Sequence, residues 1–132
     1  MLSNLGNFLL FLNVLLSILI IYNSYTCLKI SNKLIFKSIY QLSIFQSTSI
    51  LICFFTLIAA FLISDFSLIN VYQNSHSLKP IFYKISGTWG NHEGSLLLWV
   101  IILTLFSFLF LVFNKSHPKS FRLGTLIIQN LL

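Results

Sequence analysis

Three long apolar runs constrain the fold of this chain more than any other feature. They cover residues of about 5–22, 44–63 and 95–113. A helix of roughly 20 residues crosses the ~30 Å hydrocarbon layer of a membrane, where every backbone polar group needs an internal partner. Only 8% of the residues are charged, whereas soluble domains carry roughly 25%. The sequence therefore predicts an all-α integral membrane protein with three transmembrane helices in a single membrane domain over residues 1–132.

A fourth apolar piece covers residues 123–132 and is long enough for only half a bilayer. Two explanations stay open. The piece could form the opening turns of a partial fourth span whose remainder is supplied by another chain, or it could form a short interfacial helix or a frayed tail. We expect the 132 residues to be a fragment of a larger multi-span assembly.

The basic residues predict an orientation in the membrane. Two segments carry Lys and Arg without any acid, namely the first loop with Lys29, Lys33 and Lys37 and the segment after the third run with Lys115, Lys119 and Arg122. The loop before the third run instead holds two basic residues balanced by two acids, namely Lys79, Lys84, Asp65 and Glu93. Because segments with basic residues alone stay on the cytoplasmic or matrix side, this loop is expected on the outer side. The four-residue spacing of the first three lysines also fits a surface helix, although a plain topological anchor is favoured. No basic face for nucleic acid is expected.

The loop before the third run ends in an unusual polar motif, "WGNHEGS". Its residues are Trp89, Gly90, Asn91, His92, Glu93, Gly94 and Ser95. A structural explanation is available, since asparagine is a good N-cap and an acid in the first turn suits the helix dipole. We expect Gly87 and Gly90 to permit a tight turn. Gly94 weakens an opening turn by about 1 kcal/mol relative to Ala, which predicts that some group approaches its backbone closely.

A functional explanation of the motif is that His92 and Glu93 form a small polar site beside a ligand or partner. Histidine is a common metal ligand and a carboxylate can orient it from behind. Neighbouring helical residues point about 100° apart, so a direct pair between these two side chains is disfavoured. A lone histidine at a membrane interface more often has a structural role. The remaining histidines, His76 and His117, are expected to be solvated loop residues.

The segment "TWGNHEGSLLLWV", residues 88–100, with the preceding "FYKISGT", resembles the signature of the CcmF family. These proteins are the cytochrome c haem lyases of the bacterial-type maturation pathway. The similarity is strongest over about residues 80–113. The resemblance implies a machine that joins haem to the CxxCH motif of apocytochrome c on the outer face of the membrane. The family's Trp-rich haem segment and its axial histidines have no counterpart here, so no haem ligand, metal site or catalytic residue is assigned to this chain.

We therefore expect a non-catalytic subunit, the N-terminal portion of a split lyase, whose motif contacts haem or a partner. The expected partners are membrane lipid, apocytochrome c and another CcmF-like chain that carries the Trp-rich segment. Residues with A/T-rich codons and the absence of an import sequence favour an organellar gene and the mitochondrial inner membrane, or a bacterial-type inner membrane otherwise. The alternative is a structural subunit of a respiratory-chain complex that has lost the lyase role and is surrounded by respiratory subunits.

Overall fold

A computed structural model of the chain describes residues 2–114 and 116–132, so the predicted basic residue Lys115 lies outside it. The described residues form helices and no strands, which confirms the predicted all-α fold. The helices are α1 (Leu2–Ile30), α2 (Lys33–Ile63), α3 (Ile69–Asn74), α4 (Ile81–Gly87), α5 (His92–Phe113) and α6 (Lys119–Leu131).

Three of these helices, α1, α2 and α5, are long and apolar enough to cross a membrane. α1 and α2 are separated by a two-residue turn, in which Ser31 adopts a left-handed backbone conformation (φ 50°) and Asn32 caps α2 through its side chain. Lys29 therefore lies in the last turn of α1, while Lys33 begins α2. The alternative of one surface helix carrying all three lysines of the first loop is wrong, because the turn divides them between two helices.

The helices pack as a bundle in which α2 lies against both α1 and α5, and α6 lies against both α1 and α5. Each end of the bundle has its own apolar core. One core contains Cys27, Ile39, Leu111, Leu123 and Leu126. At the other end, Phe61 and Val71 are fully buried together with Ala60. The outer faces of the long helices expose large apolar side chains, as expected of surfaces that face lipid.

α6 runs along α1 and α5 from the α1–α2 turn toward the middle of the bundle. In its last turn, Asn130 Oδ1 accepts a hydrogen bond of 2.9 Å from Gln46 Nε2 of α2. Arg122 is buried, donates a hydrogen bond to the Leu111 carbonyl in the last turn of α5 and lies 5.2 Å from the ring centre of Phe36. This guanidinium satisfies one of the carbonyls that a helix end leaves without an intrahelical donor.

The two predicted basic segments lie at the same end of the bundle. Cys27 near the end of α1 and Asn32 in the α1–α2 turn line a small cavity of about 100 Å³ together with Lys119 and Ser120 from the start of α6. The motif lies at the opposite end, since Gly87 faces Phe61 near the end of α2. The bundle thus separates the basic segments from the motif by the length of a membrane-crossing helix.

Candidate functional site

Asn91 is the centre of the polar corner at the start of α5. Its side chain is 9% exposed, and its Oδ1 accepts a 2.7 Å hydrogen bond from the Gly94 N–H. Asn91 is therefore the N-cap of α5, as predicted. Its Nδ2 donates to the Gly87 carbonyl at 2.8 Å and to the Thr88 carbonyl at 3.3 Å. Asn70 in α3 also donates to Asn91 Oδ1, at 3.3 Å. One side chain therefore ties together α3, the end of α4 and the start of α5.

Gly94 lies against the backbone of the preceding turn. A Cβ atom at this position would stand 1.6 Å from the Thr88 carbonyl oxygen and 3.2 Å from Asn91 Oδ1. The prediction of a close approach at Gly94 is confirmed, and the approaching group is the Thr88 carbonyl. Thr88 itself is fully buried. The glycine is thus required by packing inside the corner, independently of any ligand.

The turn between α4 and α5 does not use the backbone freedom that we expected of its glycines. Among the described glycines none has a positive φ. Gly87 is the last residue of α4. A Cβ added there would lie 3.6 Å from the Phe61 ring, which is an ordinary contact distance. A Cβ on Gly90 would lie 3.1 Å from the Ser86 carbonyl oxygen, so close packing explains this glycine better than a left-handed turn.

The chemically active side chains of the motif point away from this buried frame. His92 and Glu93 are the first two residues of α5, and both are exposed. Trp89, in the turn before them, is 41% exposed. The carboxylate of Glu93 lies in the first turn, where the positive end of the helix dipole favours it, as predicted. The structure therefore presents an imidazole, a carboxylate and an indole on a rigid base.

The other titratable residues considered from the sequence lie apart from this group. His76 accepts a hydrogen bond on Nδ1 from the Leu78 N–H within its own loop, and His117 packs 5.5 Å from the ring of Phe121 at the basic end. Asp65 accepts hydrogen bonds from the Ser67 hydroxyl and the Ser67 N–H, which lower the pKa of its carboxyl group. These hydrogen bonds lie within its own turn.

Sequence reasoning missed Lys84. This lysine entered only as a loop charge, yet its side chain is 8% exposed, and its Nζ donates to Ser64 Oγ at 2.6 Å and to the Leu62 carbonyl at 3.4 Å. Ser64 is the left-handed C-cap of α2. The ammonium group thus stabilises the negative end of the α2 dipole and fastens α4, which carries the motif, onto α2. Asn70 and Thr88 were missed too, since only the fold brings them to Asn91.

The corner holds a single histidine, His92. Within residues 2–114 and 116–132, no three His, Cys, Asp or Glu side chains converge as a metal site would require. His92 lines neither the small cavity at the basic end nor the groove between α1 and α5. The residues present offer one exposed imidazole and one exposed carboxylate.

Several curated proteins are similar to the chain in sequence. The cytochrome c-type biogenesis protein CycK of Rhizobium meliloti strain 1021 is 50% identical over 76 residues, which cover 58% of this chain and 11% of that protein. CycK of Bradyrhizobium diazoefficiens is 59% identical over 66 residues, 50% of this chain and 10% of that protein. CcmF of Escherichia coli K12 is 35% identical over 79 residues, which cover 60% of this chain and 12% of that protein. The matched residues thus span about a tenth of the length of these relatives.

A solved structure shares the fold. The chain superposes on a cytochrome c haem lyase CcmF with a TM-score of 0.89 and 24% identity, over 98% of this chain and 22% of that one. At this level of identity the superposition shows the fold alone. No protein-family model matches the chain. Together with the sequence relatives, the comparison confirms the resemblance found in the motif, and the chain is similar to a part of the CcmF-type cytochrome c haem lyases.

Proposed function

We propose that this chain is a non-catalytic part of a cytochrome c haem lyase and assists the covalent attachment of haem to apocytochrome c. The observation that carries the proposal is the exposed His92–Glu93 pair, held on a buried Asn91–Gly94 frame in a chain of CcmF type. The chain's relatives are named for cytochrome c biogenesis, which supports a role in the same pathway. Packing explains Gly94 and Asn91, and the helix dipole favours Glu93, but neither requires an imidazole at the exposed position of His92.

The corner acts in this proposal as a fixed contact surface. Asn91 and Lys84 hold α3, α4 and the ends of α2 and α5 together, so the side chains above them are presented with little loss of freedom on binding. His92 and Glu93 offer hydrogen bonds to a haem edge or to the apocytochrome, and Trp89 offers an aromatic surface. Haem supplies the reactive vinyl groups when the complete complex holds it. The residues of this chain bind the haem edge or the apocytochrome and orient it.

The proposed site faces the intermembrane space or the periplasm. The chain lies in the inner membrane, which is the mitochondrial inner membrane if the gene is organellar. The clustering of Lys29, Lys33 and Lys119 at the other end of the bundle supports this orientation under the positive-inside rule. A second CcmF-like chain supplies the Trp-rich haem segment in this proposal. The N-terminal position of the chain within the lyase belongs to the same proposal.

The test is to replace the chain in its own membrane by variants and to measure covalently bound haem in cytochrome c by in-gel haem staining. We expect loss of the chain to abolish holocytochrome c, and the double change His92→Ala with Glu93→Ala to reduce it at least tenfold while the protein level is unchanged. His117→Ala, at the basic end, is the matched control and should leave holocytochrome c at the normal level. Normal holocytochrome c without the chain would overturn the proposal and leave a structural role in a respiratory complex.

A further inference from the structure

The basic end of the bundle carries positive charge that no acidic side chain of the protein balances. The sequence contains only two acidic residues, Asp65 and Glu93. Asp65 follows the C-cap of α2 and Glu93 lies in the first turn of α5, so both lie at the motif end. The described residues of the basic end include one arginine and four lysines, namely Lys29, Lys33, Lys37, Lys119 and Arg122. The positive-inside rule accounts for exposed lysines on one side of a membrane, but it requires neither a buried cation nor a cavity among them.

Arg122 is the buried cation at this end. Its side chain is 8% exposed, and the groups that it meets are the Leu111 carbonyl and the Phe36 ring, neither of which carries a net negative charge. A guanidinium is not deprotonated in proteins, and a buried charge is costly unless an opposite charge compensates it. An anion from outside the chain would supply that charge. Because the guanidinium is enclosed, the anion would act on it through the electric field, which a protein interior screens less than water does.

The small cavity between the α1–α2 turn and α6 lies beside this guanidinium. Phe36, whose ring centre is 5.2 Å from Arg122 Cζ, lines the cavity, and so does Leu123, the residue after Arg122. The lining has a polar part and an apolar part. Hydroxyl, amide and ammonium groups come from Ser31, Asn32, Lys119 and Ser120, and apolar side chains come from Leu28, Phe36 and Leu123.

The exposed lysines of the basic end lie in this cavity or next to it. Lys119 lines it, and each of the other three directly follows a lining residue in the sequence. These pairs are Leu28 with Lys29, Asn32 with Lys33, and Phe36 with Lys37. Charges of one sign around a recess focus their field there and raise the local concentration of ions of the opposite sign. The cavity is therefore an electropositive recess with hydrogen-bond donors on one part of its wall and hydrocarbon on the other.

We propose that this cavity binds the phosphate headgroup of an anionic phospholipid. Lys119 donates a charge-assisted hydrogen bond to the phosphate oxygens, and the side chains of Asn32 and Ser120 are further donors. The apolar part of the lining contacts the first carbons of the lipid tails, which a free phosphate ion lacks. In the orientation proposed above, this end lies on the cytoplasmic or matrix side, where basic pockets between membrane helices bind anionic headgroups. The inference goes beyond the lyase role and does not depend on it.

Photo-labelling by lipid tests this site. The tagged chain is purified with its partners from its own membrane in mild detergent and is reconstituted into phosphatidylcholine vesicles. The vesicles contain a small fraction of phosphatidylglycerol with a diazirine beside its headgroup, or phosphatidylcholine with the same diazirine as the control lipid. Labelled peptides are identified by mass spectrometry. Lys119→Gln removes one charge from the cavity, and Lys79→Gln, which removes one charge from the motif end, is the matched control.

We expect phosphatidylglycerol to label residues 27–36 and 119–123 at least fivefold more strongly than phosphatidylcholine does. Lys119→Gln should reduce this labelling at least threefold, whereas Lys79→Gln and an excess of inorganic phosphate should leave it unchanged. Equal labelling by the two lipids, labelling that Lys119→Gln does not reduce, or full competition by inorganic phosphate would overturn the inference. So would the absence of labelling by either lipid, because another polypeptide would then cover the cavity. Cytochrome c maturation is not part of this measurement, so each result bears on the lipid site and leaves the proposed function to its own test.

Discussion

At the scale of single residues, the motif divides into a buried frame and an exposed face. Asn91 as N-cap and the close contact at Gly94 were predictable from the sequence, because both depend on neighbours within a few positions. The hydrogen bonds that Asn91 Nδ2 donates to the Gly87 and Thr88 carbonyls were not predictable, because they depend on the path of the turn. Sequence patterns describe a residue's local neighbours well and its partners across the fold poorly.

Gly94→Ala tests the frame. Alanine favours a helix over glycine by about 1 kcal/mol, but here its Cβ would fall 1.6 Å from the Thr88 carbonyl oxygen. We expect the clash to dominate and to lower the free energy of unfolding by about 1–3 kcal/mol, measured by thermal or denaturant unfolding in detergent. Gly124→Ala in α6 is the control, because nothing lies within 4 Å of its added Cβ, and it should leave stability unchanged or slightly raised. Equal shifts in both variants would contradict the contact described here.

Asn91→Asp separates the two roles of this side chain, which caps α5 through Oδ1 and donates hydrogen bonds through Nδ2. Aspartate is as good an N-cap as asparagine in general, so a simple cap would tolerate the change. Here the new carboxylate would face the carbonyls of Gly87 and Thr88, which now accept hydrogen bonds from Nδ2. We expect a loss of about 1–3 kcal/mol in unfolding free energy, comparable with other buried acceptors left without a donor. A variant as stable as the unchanged protein would show that the two Nδ2 contacts contribute nothing.

At the scale of helices, the apolar runs predicted the three long helices well, since length and composition decide whether a segment can cross a membrane. They gave no information on how the short helices attach. Lys84 fastens α4 to the end of α2, and Arg122 fastens α6 to the end of α5. From the sequence, Lys84 and Arg122 were recognisable only as charges in loops. Side chains that cap a helix distant in sequence carry no periodic signal.

Lys84→Met measures the first of these attachments. The change keeps most of the apolar stem but removes the donor to Ser64 Oγ and the Leu62 carbonyl. We expect about 1–3 kcal/mol lower stability and faster hydrogen exchange at the amides of α4. Lys79→Met is the matched change, since Lys79 bonds only to the Asn74 carbonyl in its own loop, and its effect should be smaller. If the two variants behaved alike, Lys84 would not be the residue that anchors α4.

At the scale of the whole molecule, the charge pattern predicted which segments share an end of the bundle, and the structure brings the α1–α2 turn and the start of α6 together. An open groove of about 850 Å³ between α1 and α5 was not predictable from composition, because it results from the packing of four helices. Orientation in a membrane is a separate property, which the helices alone do not determine.

An impermeant maleimide tests the orientation. Ser77→Cys lies in the exposed loop at the motif end and Ser120→Cys in the exposed start of α6. We expect labelling of the first but not the second in intact mitoplasts, or in intact spheroplasts if the membrane is bacterial, and labelling of both after lysis. The native Cys27 and Cys53 are buried, so their background should be low. Labelling of only the second position before lysis would invert the proposed topology.

The central claim is that the chain works within a cytochrome c haem lyase. Its most direct test is purification of the tagged chain from its own membrane in mild detergent, with mass spectrometry of its partners and an absorbance spectrum of the reduced complex. The account predicts a second CcmF-type chain that carries the Trp-rich segment, together with the spectrum of a b-type haem. Respiratory-complex subunits without any maturation partner and without that haem would contradict it, and the motif would then be a structural corner only.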